Sequence, residues 1–406
     1  MRILVISYFL GQTGRASSHH IDDRLLELSE RGITIGVVGP PHLSPVSCAF
    51  LKNVSVYSMP DRRVKSFLRR YLSVKVPPSL KMRVRALLDR IKFVERDRFA
   101  DWNWEDVATR YVLNTVSLDE YDLIYSTGGP AVAHLVAHNL IKHCGLKWIA
   151  EIQDPLIFDG IRTHYRPSQR DLEKLSQAEF TLRSADALIC VTETCKQYYR
   201  QKLPKEHVYC IYPGSNIGKW YTGDLTRAST TRSRTCFFHA GSLIGTRTIK
   251  PFLDAVLQLH LQEKIELVLA GYIDPQVSQL VQKYSSFIRY IGRVSRLEIA
   301  EKICAADVCL VVQHLGPISS LTIPSKFYDY AALGATILFL GYKNEEVAAN
   351  SHQYNFYYAD QSSLSDMART LRVLVESTEP RKTPLTVNIG KSVDEFLALC
   401  ARVTAG

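Results

Sequence analysis

Short apolar runs alternate with longer stretches of helical, amphipathic spacing along almost the whole chain. The first unit sets the pattern. Ile3–Ser7 reads as a buried strand and Tyr8–Ser17 as a loop; Ile21, Leu25 and Leu28 then share one face of a helix that Gly32 stops. Ile33–Val38 is the next strand, followed by Leu123–Ser126, Trp148–Ile152, Ala187–Val191 and Val208–Ile211. Strands separated by helical stretches specify βαβ units and parallel sheets. The periodicity vanishes over Tyr221–Thr235, where Thr, Ser, Arg and Gly dominate, which marks a linker. Beyond it the alternation restarts with Cys236–Ala240, Ile265–Ala270, Ile288–Ile291, Val308–Val312 and Ala335–Leu340. The predicted fold class is α/β: two Rossmann-like, doubly wound domains, residues 1–220 and 221–385, facing each other across a cleft. An amphipathic helix around Val393–Val403, within residues 386–406, is expected to pack back on the first domain.

Length agrees with two cores, since 406 residues exceed the roughly 100–200 of an ordinary domain. A content of 46% hydrophobic and 22% charged residues is that of a globular protein. Met1–Ser7 lacks a small-residue cleavage site, so it reads as a first strand rather than a signal peptide. No apolar run approaches the ~18 residues that span a bilayer. Nine cysteines are scattered without a Cys-x-x-Cys pair, which predicts reduced thiols in a reducing, cytoplasmic compartment and no zinc site.

Charge changes the picture in one place. Of the net +10, residues 62–98 hold thirteen Lys/Arg against three Asp/Glu, leaving 37 basic and 37 acidic residues elsewhere. Val64, Phe67, Leu68, Tyr71 and Leu72 recur there at helical spacing, and after Pro77-Pro78 so do Leu80, Val84, Leu87, Leu88, Ile91 and Val94. Basic amphipathic helices lie in membrane interfaces, and each basic residue near an anionic surface contributes about 1 kcal/mol. A solvated face and a nucleic-acid patch are the competing readings; no nucleic-acid motif accompanies the charge. The expectation is therefore a peripheral protein on the inner face of a membrane, held by an anionic surface and binding no nucleic acid.

Open α/β sheets bind ligands at the carboxyl ends of their strands, where strand order reverses. The first such loop, Gly11-Gln12-Thr13-Gly14-Arg15, permits close backbone approach at a helix N-terminus, and a plain turn explains it equally well. A nicotinamide cofactor is not expected, because G-x-G-x-x-G spacing is absent and the second strand runs into Gly39-Pro40-Pro41 without an acidic residue. There is also no P-loop motif and no Asp-x-Asp pair. A bound diphosphate would then depend on helix N-termini and basic side chains. Gly241-Ser242-Leu243 follows a strand and Gly245-Thr246-Arg247 precedes a helix, so backbone N–H groups and a guanidinium can converge there. In Ile323-Pro324-Ser325-Lys326-Phe327-Tyr328-Asp329, Pro324 suits a first helical turn and Ser325 and Lys326 add donors. Asp329 shares their helix face, so phosphate over Lys326 with a hydroxylated ligand over Asp329 is sensible geometry. An ordinary ion pair between Lys326 and Asp329 is the alternative.

The order of these segments resembles the GT-B glycosyltransferases, specifically family 4 and its bacterial polysaccharide-building members. The resemblance runs from Tyr121-Asp122-Leu123-Ile124-Tyr125-Ser126-Thr127-Gly128-Gly129-Pro130 through His134 to Trp148-Ile149-Ala150-Glu151-Ile152-Gln153-Asp154-Pro155. It continues in Ser184-Ala185-Asp186-Ala187, Val191-Thr192-Glu193, Ile211-Tyr212-Pro213-Gly214-Ser215-Asn216, Gly292-Arg293-Val294 and Ala305-Ala306-Asp307-Val308. By this resemblance Arg247 matches the phosphate-binding lysine, and Ser242 stands where many members carry a second basic residue. Asp329 takes the place of the second of two paired glutamates, at the nucleotide ribose. The first is replaced by Leu321, with backbone amides around Ser319–Thr322 as substitutes. Tyr290 and Arg293 would border the base, completing a donor set of Gly241, Ser242, Arg247, Tyr290, Arg293, Pro324, Ser325, Lys326 and Asp329. Gln153 and Asp154 fall at the catalytic position, Asp154 accepting a proton or stabilising charge on the sugar; a structural Asp capping a helix is the alternative. Gly11, Gly14, Arg15, His20 and His134 are acceptor-side candidates.

What the resemblance implies is metal-independent, retaining transfer of a sugar from a nucleotide-sugar donor to a membrane-associated glycan or lipid-linked acceptor, without a cofactor. A nucleotide-sugar epimerase of the same fold and a non-enzymatic two-lobed binding protein stay open.

Overall fold

The computed structural model describes residues 1–10, 16–40, 43, 48–49, 51–59, 102–128, 130–156, 168–221, 233–315, 317–341, 346–347, 356–376 and 389–406. Gly11, Gly14 and Arg15, the basic segment 62–98 and residues 222–232 of the expected linker lie outside them.

Strands β1 (Arg2–Ile6), β2 (Thr34–Gly39), β3 (Val54–Ser58), β4 (Leu123–Thr127), β5 (Lys147–Ile152), β6 (Ala187–Cys190) and β7 (Val208–Cys210) form one sheet in the order β3-β2-β1-β4-β5-β6-β7. A second sheet runs β10-β9-β8-β11-β12-β13, from β8 (Thr235–Ala240), β9 (Ile265–Ala270), β10 (Ile288–Tyr290), β11 (Val308–Val312), β12 (Ile337–Gly341) and β13 (Phe356–Asp360). Neighbouring strands are parallel throughout. Strand order reverses between β1 and β4 in one sheet and between β8 and β11 in the other, so each domain has one switch point for a ligand. The two doubly wound domains are those the sequence predicts. Two edge strands were not anticipated. β3 alternates Val54 and Val56 with serine on a half-exposed edge, and β13 carries polar-tipped tyrosines; each pairs on one side only.

Helix α1 (Ala16–Glu30) buries Ile21, Leu25 and Leu28 as expected, and Gly32 follows it with a φ of +80°. The C-terminal helix Ile389–Ala405 buries Ile389, Val393, Phe396, Leu399 and Cys400 against Ile3, Val5, Leu25 and Tyr125 of the first domain. The domain crossing lies earlier than composition suggests. Ile217, assigned above to the first domain, is fully buried among Phe238, Val311 and Phe339 of the second. The chain therefore passes between domains at residues 212–216, not after Trp220. None of the nine cysteines forms a disulfide with another, and all are buried or half-buried. Among the described residues no helix is long and apolar enough to cross a membrane.

One buried charge pair ties α1, the first sheet and the C-terminal helix together. Arg24 pairs with Glu151, both 3% exposed, and Arg24 Nη1 donates to the Tyr125 hydroxyl at 2.8 Å. That hydroxyl donates to Glu151 at 2.9 Å. Arg24 also reaches Ser392 Oγ and lies over the Phe396 ring. Removing one member of a buried pair strands the other, at a cost of about 3–5 kcal/mol, whereas an exposed pair contributes ~0–1 kcal/mol. Glu151→Gln is expected to lower stability by the larger amount. Asp394→Ala, which removes a 69%-exposed partner of Arg31, is expected to stay within the smaller one. Urea-unfolding midpoints compare the two.

Candidate functional site

The second switch point is built on glycine. β8, β9 and β10 end side by side, and Gly241, Gly271 and Gly292 follow them with φ of +145°, +117° and +73°, where side chains are strained. A Cβ on Gly271 would stand 2.3 Å from the Gly241 carbonyl oxygen, so the first two turns touch backbone to backbone. Leu243 N donates to the Tyr272 carbonyl at 2.8 Å and Gly245 N to Asp274 at 3.1 Å, which holds the 241–247 loop against its neighbour. Tyr290 donates from its hydroxyl to the Gly271 carbonyl, and Arg293 lies over the Tyr272 ring, both at the outer rim where a base is expected.

Lys326 enters this site from the side. It is the first residue of the helix Lys326–Ala332, is 8% exposed, and places Nζ 2.7 Å from where a Cβ on Gly241 would be. Among the described residues its ammonium forms no hydrogen bond or ion pair. Burial first, and then repulsion from Arg247, push its pKa down to about 7 against the attraction of Asp329. Arg247 Nη1 reaches back to the Ser242 carbonyl at 3.5 Å. Two cations thus share one glycine notch. Ser242 offers no charge, but Lys326 delivers a second cation beside Gly241, next to where the resemblance places one.

The Lys326–Asp329 ion pair, the alternative reading of this helix, is not formed. Asp329 instead accepts from Ser215 Oγ at 2.5 Å and stands 3.9 Å from Arg296. Burial, with repulsion from Asp23, raises its pKa to about 6, against Arg296, Ser215 and Lys326. Pro324 also differs from expectation: it lies two residues before the helix, and Ser325 is an N-cap without a side-chain cap bond. The substitute role for amides around Ser319–Thr322 is narrowed, because Thr322 N donates to the Ser319 carbonyl.

Both domains meet at this site. Asp23 of α1 takes a two-point hydrogen bond from Arg296 at 2.5 Å each and a further bond from Asn216 N at 3.0 Å. His20, one turn earlier, sets its ring edge-on to Tyr328 at 6.2 Å. Thr192 donates to the Leu321 carbonyl at 2.8 Å. Glu346 accepts from the backbone of Glu193 and Thr194, so a second-domain carboxylate caps the first-domain helix Glu193–Arg200.

On the first-domain side, Gln153 and Asp154 follow the carboxyl end of β5 and are half-buried. Thr127 donates to Ser7 Oγ across the first switch point at 3.1 Å. His134 does not reach the surface there. Its ring is fully buried, tilted against Trp148, with Nδ1 2.8 Å from Ser126 Oγ, and burial drives its pKa down to about 3. It is an interior residue, not an acceptor contact. Asp23, Ser215, Glu346, Arg296 and Gly271 belong to the site and were not singled out from sequence. Gly271 alone had a local signal: like Gly241, it directly follows an apolar strand. Among the described residues no group of three or more His, Cys, Asp or Glu is arranged to hold a metal ion.

Sequence comparison finds no matching family model and no matching curated protein. Solved structures do match. Sucrose-phosphate synthase from Thermosynechococcus elongatus superposes with a TM-score of 0.67 at 14% identity, covering 100% of this chain and 98% of that one. Anabaena HepE, solved with UDP and glucose, gives 0.61 at 14% identity over 100% and 97% of the two chains. WaaG, a glycosyltransferase involved in lipopolysaccharide biosynthesis, gives 0.58 at 11% identity over 100% and 98%. With two parallel-sheet domains, one switch point in each and full-length superposition, this chain has the GT-B fold that those structures share.

Proposed function

We propose that this protein is a glycosyltransferase that moves a sugar from a nucleoside-diphosphate donor to a glycan or lipid-linked acceptor at a membrane, with retention of configuration. The observation that carries the reading is the buried ammonium of Lys326, without an ion pair among the described residues, beside Arg247 at the second switch point. Two like charges held together in a poorly solvated notch repel, and a diphosphate relieves both. Their charge supports departure of the diphosphate without a divalent cation. The sugar–oxygen bond breaks with its electron pair leaving on phosphate, and the acceptor hydroxyl adds to the same face. Asp154, after β5, takes the hydroxyl proton or stabilises positive charge on the sugar. Structures with this fold have been solved with UDP and with UDP-glucose, which makes UDP a first probe and GDP a second.

Lys326→Met and Arg247→Ala should each weaken UDP or GDP binding by roughly ten- to hundredfold, the range of a charge-assisted contact. Lys326→Met should also raise the melting temperature of the free protein, because it removes an uncompensated buried charge. Calorimetric titration and thermal melts read these effects; unchanged affinity in both variants sinks the site. Release of nucleoside diphosphate from the productive nucleotide sugar should persist in EDTA.

The sign of the pH dependence follows from Lys326. In the free protein it loses its proton near pH 7, while the anion binds the protonated form. Affinity should therefore fall as pH rises from 7 to 9, by up to about tenfold per unit. Lys326→Arg should abolish that slope, since arginine stays charged.

Residues 62–98 carry the membrane part of the proposal by composition alone. Flotation with liposomes should require anionic lipid, and replacing six of the segment's basic residues with glutamine should abolish it. Equal recovery on neutral liposomes counts against membrane attachment by charge.

A further inference from the structure

Within β8, His239 is fully buried, and its Nδ1 lies 2.9 Å from the Leu310 carbonyl oxygen of β11. A carbonyl oxygen only accepts, so Nδ1 carries the proton and Nε2 presents a lone pair. That lone pair has no hydrogen-bond partner among the described residues. Its place is marked by Gly241: a Cβ there would lie 3.6 Å from His239 Nε2 and 2.7 Å from Lys326 Nζ. Both nitrogens lie close to that one point. The charged groups that face the ring are Lys326 and Arg247, and burial with these two cations keeps it neutral. Lys326 itself faces Arg247 and Asp329. A buried acceptor without a donor and a buried ammonium without an acceptor are each unfavourable, and among the described residues the two stand beside the same glycine.

We infer that His239 is a positioning residue: the two nitrogens are not hydrogen-bonded in the free protein, and when a diphosphate binds, Nε2 accepts one N–H of Lys326 and so aims the other two at the diphosphate. This rests on the reading of Lys326 as a diphosphate ligand. It assigns β8 a function in the site that none of its motifs announces.

Pyrophosphate is the probe, because it carries the recognised group and no base. His239→Asn keeps an amide N–H at the Nδ1 position for the Leu310 carbonyl and removes the acceptor. His239→Gln places an amide oxygen near the Nε2 position and gives up the Leu310 bond. Calorimetric titration from pH 6 to 9 should show pyrophosphate binding about tenfold weaker in the Asn variant, with its decline beginning at lower pH. The Gln variant should stay within about twofold of the unaltered protein. A purely structural histidine reverses that order, and unchanged binding in the Asn variant also overturns the inference. If the Asn variant does not fold, the Gln variant decides: retained affinity supports the assignment and tenfold loss overturns it. Lys326→Ala separates the two levels. If it abolishes binding while His239→Asn does not, only the positioning function falls; if it too leaves binding unchanged, the diphosphate reading falls.

Discussion

A carboxylate only 3% exposed must have its charge met, and Asp23 has it met from the other domain. Arg296 supplies two parallel hydrogen bonds and Asn216 a third, from the segment where the chain crosses between domains. Removing both ions from water is unfavourable, so such a pair persists only with near-ideal geometry and its remaining lone pairs satisfied. Those conditions hold for one relative placement of the domains. The same contact sets the electrostatics next door: Arg296 lowers the pKa of Asp329, and Asp23 raises it. The joint between the domains and the wall of the proposed donor site are thus one network.

Within the second domain, position is set by what glycine leaves out. Three adjacent strand ends turn through conformations that side chains resist, and the space kept clear beside Gly241 is where the Lys326 ammonium goes. A lysine on a helix thereby stands beside the strand-end loop, where the resemblance expects a second basic residue at position 242. Its stem is buried and among the described residues its ammonium forms no ion pair, a state that persists only because surrounding packing over-determines it.

The fold was legible because central parallel strands, buried on both faces, leave near-continuous apolar runs. β3 and β13 escaped because an edge strand needs only one apolar face, and Val54–Ser58 and Phe356–Asp360 are correspondingly mixed. In the site, Gly241, Arg247 and Lys326 were readable as loop and helix-start residues after strands. Helical spacing brought Asp329 near Lys326, but Ser215, more than a hundred residues away, took its hydrogen bond. Asp23, Arg296 and Glu346 each meet partners on the opposite domain, which no local pattern encodes. His134 and His239 look alike in sequence, each set among apolar residues. Both are fully buried, and only their surroundings separate them: His134 Nδ1 meets Ser126 Oγ inside the first domain, whereas His239 Nδ1 meets the Leu310 carbonyl and its ring lies beside Gly241 and Lys326.

Helix α1 places Asp23 and Arg24 next to each other in sequence and in different networks, one across the domain joint and one into the first sheet. Glu27 and Arg31 extend this to Lys219 and to the C-terminal helix. A helix advances by about 100° per residue, so a single inserted or deleted residue in its first turn or two would rotate every one of these groups together. Substitutions in α1 act one contact at a time. A change of length would act on all of them at once, which makes the residue count of this segment more constrained than the identity of most of its members.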